Sequence, residues 1–396
     1  RQAMNYGFRR WRDFFNDRQL LVLGWLRSAI VSIADDPLRR ALLTLFSGVL
    51  EFNNLFASYK GEGTGAVRHM FSHHILKPER MPIEANVWGT PKSSGSFSNL
   101  FRSRLLRALD YRRDPTEVTT DARGGCVCSA PFSETIEPSW PSNGSLAERG
   151  IYLSCGTSSD TGLSDHSMDL IVTDPPFFDN VHYSELADFF YAWQQLGVVS
   201  AGDAPASGSR STRHDFEVQD TRAEQFAAKL AAVLRECHRV LRDDGLLVFT
   251  YHHSRDDGWQ SLAEAILGAG FSVINSHPVK SEMSVATPKS QAKEPIAFDI
   301  ILVCRKQGSL VDAPIPTIPE ALDSARSKIG RLLAAGFTLS RNDRKVILYG
   351  QLLTAIVKPS DSKSWAPIVQ AELAQERSRL PAKGSRGQQR ALFDAR

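Results

Sequence analysis

From Ile151 to Arg305 the chain alternates short apolar runs of strand length with amphipathic stretches of helical length. This alternation restricts the fold more than any other feature. Strands separated by helices pair by crossing over, so the pattern predicts an α/β layer in which helices cover a largely parallel sheet. Strands are expected over 151–155, 169–173, 246–251, 271–276 and 298–305, the last two as an antiparallel pair at the end of the sheet. Helices are expected over 183–196, where Leu186, Phe189, Phe190, Trp193 and Leu196 share a face, and over 258–267. Another starts at Thr221, whose hydroxyl and the Glu224 carboxylate form a capping box. Its stripe runs Phe226, Leu230, Val233, Leu234, Cys237, Leu241, and Asp243-Asp244-Gly245 is the expected stop.

The flanks differ. Residues 1–113 read as a helical region, with helices over 18–33 and 37–53, the second carrying Leu42, Leu43, Leu45, Phe46, Val49 and Leu50 at helical spacing. Residues 114–149, rich in Pro, Gly, Ser and Thr, read as a linker or surface excursion. The α/β core is expected over 150–307, helices again over 308–380, and a disordered tail over 381–396. No apolar run approaches the roughly 18 to 20 residues a membrane span needs, and no signal-peptide pattern opens the chain, so a soluble cytoplasmic protein is expected. Five cysteines make no disulfide framework, and Cys126-Val127-Cys128 lacks the spacing and second pair of a zinc site, so no metal is expected. The net charge of +3 hides an uneven distribution: residues 1–50 and 321–396 hold 22 basic and 10 acidic side chains, residues 151–320 hold 13 and 23. Basic flanks around an acidic middle suit a polyanion held from the sides, although scattered Lys and Arg also read as solvated surface.

The residues that carry chemistry follow the apolar run 169–173. Asp174-Pro175-Pro176-Phe177 stands at its carboxyl end, where open α/β sheets place their ligands. Two successive prolines fix φ and remove two amide donors, giving a stiff turn. Such a turn presents the Asp174 carboxylate and the Pro175 carbonyl to one pocket, with Phe177 beside it. Two acceptors and an aromatic plate fit an exocyclic amino group on a planar ring. Phe178, Asp179, Asn180, His182 and Tyr183 follow in the loop to the next helix, placed to line that pocket or contact a phosphate; for Asp179 and Asn180, turn formation is the competing reading. His252 and His253 end the run 246–251 on the same side and read as a polar strand end rather than as metal ligands. Lys289 and Lys293, before the last strand, are within reach of phosphates or are plain surface.

Asp-Pro-Pro-aromatic is the signature of amino-methyltransferases, and the run from Asp174 to Trp193 resembles the large bacterial adenine-specific DNA methylases that carry a zinc-ribbon region and occur in phage-defence and restriction-modification settings. The opening 5–15 and the segment 288–295 resemble other parts of that family. The resemblance implies a Rossmann-like S-adenosylmethionine-dependent methyltransferase sheet, present in part, with helical additions at both ends. It implies in-line methyl transfer to the N6 amine of a flipped adenine in DNA, with N4-cytosine transfer or an inactive DNA-binding scaffold as alternatives. Asp174 and Pro175 would orient the amine, Pro176 would stiffen the corner, and Phe177, where family members often have Tyr, would stack on the base. Cys155-Gly156-Thr157-Ser158, joined by Asp174, would meet the cofactor, although Ser158 stands where an acidic residue is usual. The glycine-rich turn such enzymes use is not legible: Gly48 lies in a helical pattern and Gly61-Glu-Gly63-Thr-Gly65 has no apolar strand ahead of it. Together with the opening on Arg1, this leads to the expectation of a downstream portion whose cofactor turn lies on an upstream segment or a separate subunit.

Overall fold

The computed structural model describes residues 3–59, 67–73, 78, 83–89, 95–121, 124–130, 134–137, 139–141, 146–147, 149–177, 183–196, 211–220, 222–281, 296–309 and 314–379. Helices α1 (Asp17–Val31) and α2 (Asp36–Phe52) open the chain. The Asn16 side chain accepts from the Gln19 amide and that of Asp35 from the Leu38 amide, each satisfying a donor that a first turn leaves unpaired. Their apolar sides join Phe14, Phe15, Phe56 and Leu100 in a first core.

The expected linker contains structure. Its β-branched run pairs β1 (Thr116–Asp121) with β2 (Gly124–Ser129) as an antiparallel hairpin. The strand expected over 151–155 does not form: only Gly150–Ile151 pairs, with Thr135–Ile136 and outside the main sheet. Leu153 is 71% exposed, so the apolar run finds no layer to bury it.

The main sheet has β3 (Met168–Thr173), β4 (Leu241–Tyr251), β5 (Phe271–Lys280) and β6 (Phe298–Lys306), in the order β3-β4-β6-β5. It is mixed rather than largely parallel. β3 runs parallel to β4, with Val172 opposite Val248, whereas β6 is antiparallel to both β4 and β5. Helices α3 (Tyr183–Gln194) and α4 (Ala223–Val240) lie between β3 and β4, and α5 (Asp256–Gly268) between β4 and β5. Helices α6 (Ile318–Ala334), α7 (Arg341–Leu352) and α8 (Trp365–Arg379) follow.

Two expectations about α4 are corrected. Its N-cap is Arg222, with no side-chain cap bond; Thr221 lies outside the described residues. It ends at Val240 rather than at 243–245, because Leu241 already pairs with Met168. Asp243-Asp244-Gly245 instead make the irregular spot where the β3–β4 register shifts. A Cβ at Gly245 would come within 2.9 Å of the Asp169 carbonyl oxygen, so the close approach there requires glycine.

One face of the sheet, with Leu247, Phe249, Tyr251, Ile300 and Leu302, is buried under Phe226, Leu230, Trp259, Leu262, Val346 and Trp365 in a second core. The other face is open along β3, where Leu170 and Val172 are 54% and 69% exposed. No further described strand pairs with β3, which is a sheet edge.

Helix α3 follows β3 in sequence but belongs to the first core. Phe189 is fully buried and stacks on Phe15 at 5.6 Å, Trp193 packs edge-on to Phe46, and only Leu196 of the expected face lies beyond the helix and exposed. The buried Arg27 guanidinium on α1 donates to the Trp193 carbonyl at 2.8 Å, supplying a partner to the end of α3 where helical carbonyls have none. The segment 211–213 is tied to the same helix, since Ser211 and Thr212 hydroxyls donate to the buried Asp188 carboxylate.

The approach to β3 is fixed from α4. Glu236 accepts from the Thr161 amide at 2.8 Å and hydroxyl at 2.6 Å, and from the Arg239 Nε at 2.8 Å. Arg239, opposed by burial and aided by Thr161, pulls its carboxyl down to about 2. Among the described residues no helix is long and apolar enough to cross a membrane.

Truncating Phe189 to Ala should lower the unfolding free energy by about 3–5 kcal/mol, read by urea denaturation, because the cavity opens where the first core meets α3. Glu236 gives a pH-dependent counterpart. A carboxyl depressed in the folded state stabilises fully above its ordinary value of 4.5 and loses that contribution as pH falls toward about 2. Glu236→Gln should therefore be less stable than the parent at pH 7 and approach it near pH 2, in urea midpoints measured across that range.

Candidate functional site

The carboxyl end of β3 carries Asp174, and the parallel pairing with β4 fixes what stands beside it. Thr173 lies opposite Phe249, so the next residue on β4, Thr250, reaches Asp174 and its hydroxyl donates to the Asp174 carboxylate. Asp174 is otherwise exposed, and Pro175, Pro176 and Phe177 are half-buried. The corner is therefore neither sealed into the core nor loose on the surface.

Phe177 packs against the second core. Its ring meets Tyr251 edge-on, with centroids 5.6 Å apart and planes at 78°, and meets the His252 imidazole at 4.6 Å. His252 is held in turn: its Nδ1 lies 2.6 Å from Oδ1 of Asp299 on β6, both side chains less than one-fifth exposed. The register continues the pairing of Ile300 with Tyr251 by one residue, which brings these two groups together.

Tyr183 comes to the site from α3. Its phenol is raised above its ordinary value by partial burial and by the Asp174 carboxylate, which disfavours a second negative charge nearby. His253 points elsewhere. It is buried, its Nδ1 accepts from the Arg255 amide at 3.1 Å, and its carbonyl accepts from Trp259 Nε1 at 3.0 Å. Burial lowers its pKa, which keeps the imidazole neutral in this structural role.

Of the residues singled out from sequence, Asp174, Pro175, Pro176, Phe177 and Tyr183 are thus brought to one place. Phe178, Asp179, Asn180, His182, Lys289 and Lys293 lie outside the described residues. Cys155, Gly156 and Ser158 are exposed and follow no strand of the main sheet, contrary to the expectation that set them at a strand end. Thr157 shares its hydroxyl with Ser159 at 2.7 Å. Thr250 and Asp299 were not anticipated. The available signals were a hydroxyl at the far end of an apolar run and a single carboxylate inside the buried strand 298–304.

The family model for DNA methylase matches residues 168–352, from the first residue of β3 to the last of α7. This region is similar to the DNA methylase family. The chemistry of that family is methylation of DNA at adenine N6 or cytosine N4. No curated protein matches the chain. DNA methylases generally use S-adenosylmethionine. The described residues do not by themselves fit that cofactor. Gly48 lies inside α2 beneath Arg104, and a Cβ added at Gly156 would meet nothing, so neither is a close-approach glycine able to cradle the methionine part. The described part of the matched region offers an exposed carboxylate, Asp174, and a half-buried aromatic ring, Phe177.

The proximity of Asp174 and Tyr183 has a direct test. In Asp174→Asn the Tyr183 phenol should titrate at lower pH than in the parent, read from the Cζ resonance of labelled tyrosine, with Tyr183→Phe identifying the signal.

Proposed function

We propose that this chain methylates the exocyclic amine of adenine in DNA after the base has been flipped out of the duplex. The observation that carries the reading is the rigid corner at the end of β3, with Asp174 exposed, anchored by the Thr250 hydroxyl and flanked by the Phe177 ring. The amine lone pair is delocalised into the base, so acceptors for its hydrogens localise charge on nitrogen and make it a better nucleophile. The Asp174 carboxylate and the Pro175 carbonyl serve as those acceptors. Phe177 stacks on the base, which contributes about 1–3 kcal/mol toward the few kcal/mol that flipping costs. The rest is positioning, because the methyl donor is already electrophilic. Asn180, His182, Tyr183, Phe178 and Lys289 are assigned to the base and its flanking phosphates.

The sheet is the part of a Rossmann-like methyltransferase that holds the target base. S-adenosylmethionine is the methyl donor, and the glycine turn that holds it comes from an upstream segment or a separate subunit. The open edge of β3 supports this. Leu170 and Val172 stand exposed on the strand that ends in Asp174, a place where further strands and helices would bury them. A cytoplasmic place in a restriction-modification or phage-defence system goes with the same reading. A second reading, a DNA-binding scaffold that has lost cofactor binding, draws on the absence of a cradle among the described residues. Titration with S-adenosylmethionine, alone and with the polypeptide encoded upstream, separates the two, since a scaffold binds in neither case.

With radiolabelled methyl donor and unmethylated DNA, Asp174→Ala should lose at least about 100-fold in rate. The product nucleoside should be N6-methyladenine rather than N4-methylcytosine. Equal incorporation by parent and variant would overturn the role of Asp174.

A further inference from the structure

DNA is a polyanion, and the part of the chain that carries the Asp174 corner is poorly suited to hold one: residues 151–320 contain 13 basic against 23 acidic side chains. The phosphates must then be neutralised by another part of the chain. Three abutting helical segments, Phe97–Leu100, Phe101–Leu106 and Arg107–Arg113, run as one rod and have the opposite balance. The rod carries five arginines, at 102, 104, 107, 112 and 113, against the single carboxylate Asp110. Phe97, Leu100, Phe101 and Leu105 pack into the first core. An apolar row repeating every four residues drifts round an α-helix by about 40° per step. The wider π turn of the middle segment offsets that drift and keeps the row on the core, which leaves the arginines outside.

The five are not equivalent. Arg104 is engaged by α2: it lies over Gly48, and its charge offsets the burial that raises the Glu51 carboxyl. Arg113 lies 3.4 Å from Asp110. Arg102, Arg107 and Arg112 are exposed and have no acidic partner among the described residues. Arg102 and Arg112 are about 15 Å apart along the rod. Over that length one strand of duplex DNA presents about four phosphates. The mount is firm at its start, where the Trp88 carbonyl accepts from the Ser98 amide at 3.3 Å and hydroxyl at 2.8 Å, and the Trp88 ring stacks on Phe97. The core beneath the rod also takes Leu186, Phe189 and Phe190 of α3, the helix that begins at Tyr183. The guanidinium row and that helix are therefore fixed to one body.

Resting on the DNA-methylation reading, we propose that Arg102, Arg107 and Arg112 hold duplex DNA by its phosphate backbone. A guanidinium offers two parallel donors to a phosphate and keeps its charge at any working pH, so unpaired arginines on a rigid helix suit this partner. Phosphate contacts fix position and carry no sequence information. The rod therefore supplies affinity that is indifferent to base sequence, and the choice of base is left to the Asp174 corner.

The test needs no methyl donor. Binding of the full chain to a short fluorescein-labelled DNA duplex is measured by anisotropy from about 50 to 200 mM salt, and the logarithm of the binding constant is plotted against that of the salt concentration. Replacing Arg102, Arg107 and Arg112 together by Gln should make the slope shallower by about 2.7, or about 0.9 for each contact, and each single Arg→Gln change by about 0.9. The loss should be the same on duplexes of unrelated sequence. Lysine at the three positions keeps the charge and should keep the slope. Removing three exposed charges elsewhere, at Arg331, Lys358 and Lys363, should leave it within about one of the parent's. A parent slope in the triple Gln variant, or an equal change from the distant triple, overturns the proposal and leaves the methylase reading intact. Tighter binding of the parent to an RNA duplex of the same sequence also overturns it. A parent that binds no DNA duplex at the lowest salt overturns the methylase reading and the proposal with it.

Discussion

The parallel pairing of β3 with β4 is the constraint on which the site depends. Val172 opposite Val248 and Thr173 opposite Phe249 set the register, and a slip by one residue would turn every side chain to the other face of the sheet. With the register as it is, Thr250 faces Asp174 and His252 comes beside Phe177 and Asp299. The row Ile171, Leu247, Cys304, packed into the second core, holds that register because a slip would expose it. The hydrophobic effect on one face thus fixes polar geometry on the other.

The two faces differ in a way that bears on assembly. Under the buried face, the helices after β6 contribute Val346, Tyr349 and Trp365 to the same core that holds Trp259, so the C-terminal helices share the core of the matched region. The Lys345 ammonium reinforces this by donating to the Ser254 carbonyl and pairing with Asp256 at 2.6 Å, directly behind the loop that begins at His252. On the opposite face, the apolar side chains of β3 are open.

Much of this was legible in the sequence because the signals were local. The helices of the first fifty residues, the strand ending in Asp174 and the antiparallel ending all follow from periodicity and turn chemistry. The strand expected over 151–155 failed because an apolar run specifies a strand only if a neighbour covers it, and Leu153 has none. The hairpin of β1 and β2 was hidden by its polar composition, since its stability comes from mutual pairing rather than from a buried face. In the site, the corner residues 174–177 could be read from four consecutive letters. Thr250 and Asp299 could not, because their roles arise from register between strands that are 76 and 125 residues away from Asp174 in the chain.

Helix α3 carries a consequence for how the two cores depend on one another. Phe177 is rooted in the sheet core, while Phe189 and Trp193, a few residues later, are rooted among the opening helices and clasped by Arg27. The region that holds Asp174 is thus anchored in both cores, through Phe177 in one and through Phe189 and Trp193 in the other. Sequence change in the first fifty residues therefore bears on the placement of a helix that follows Asp174 in the chain, because that helix is buried among the opening helices and not against the sheet.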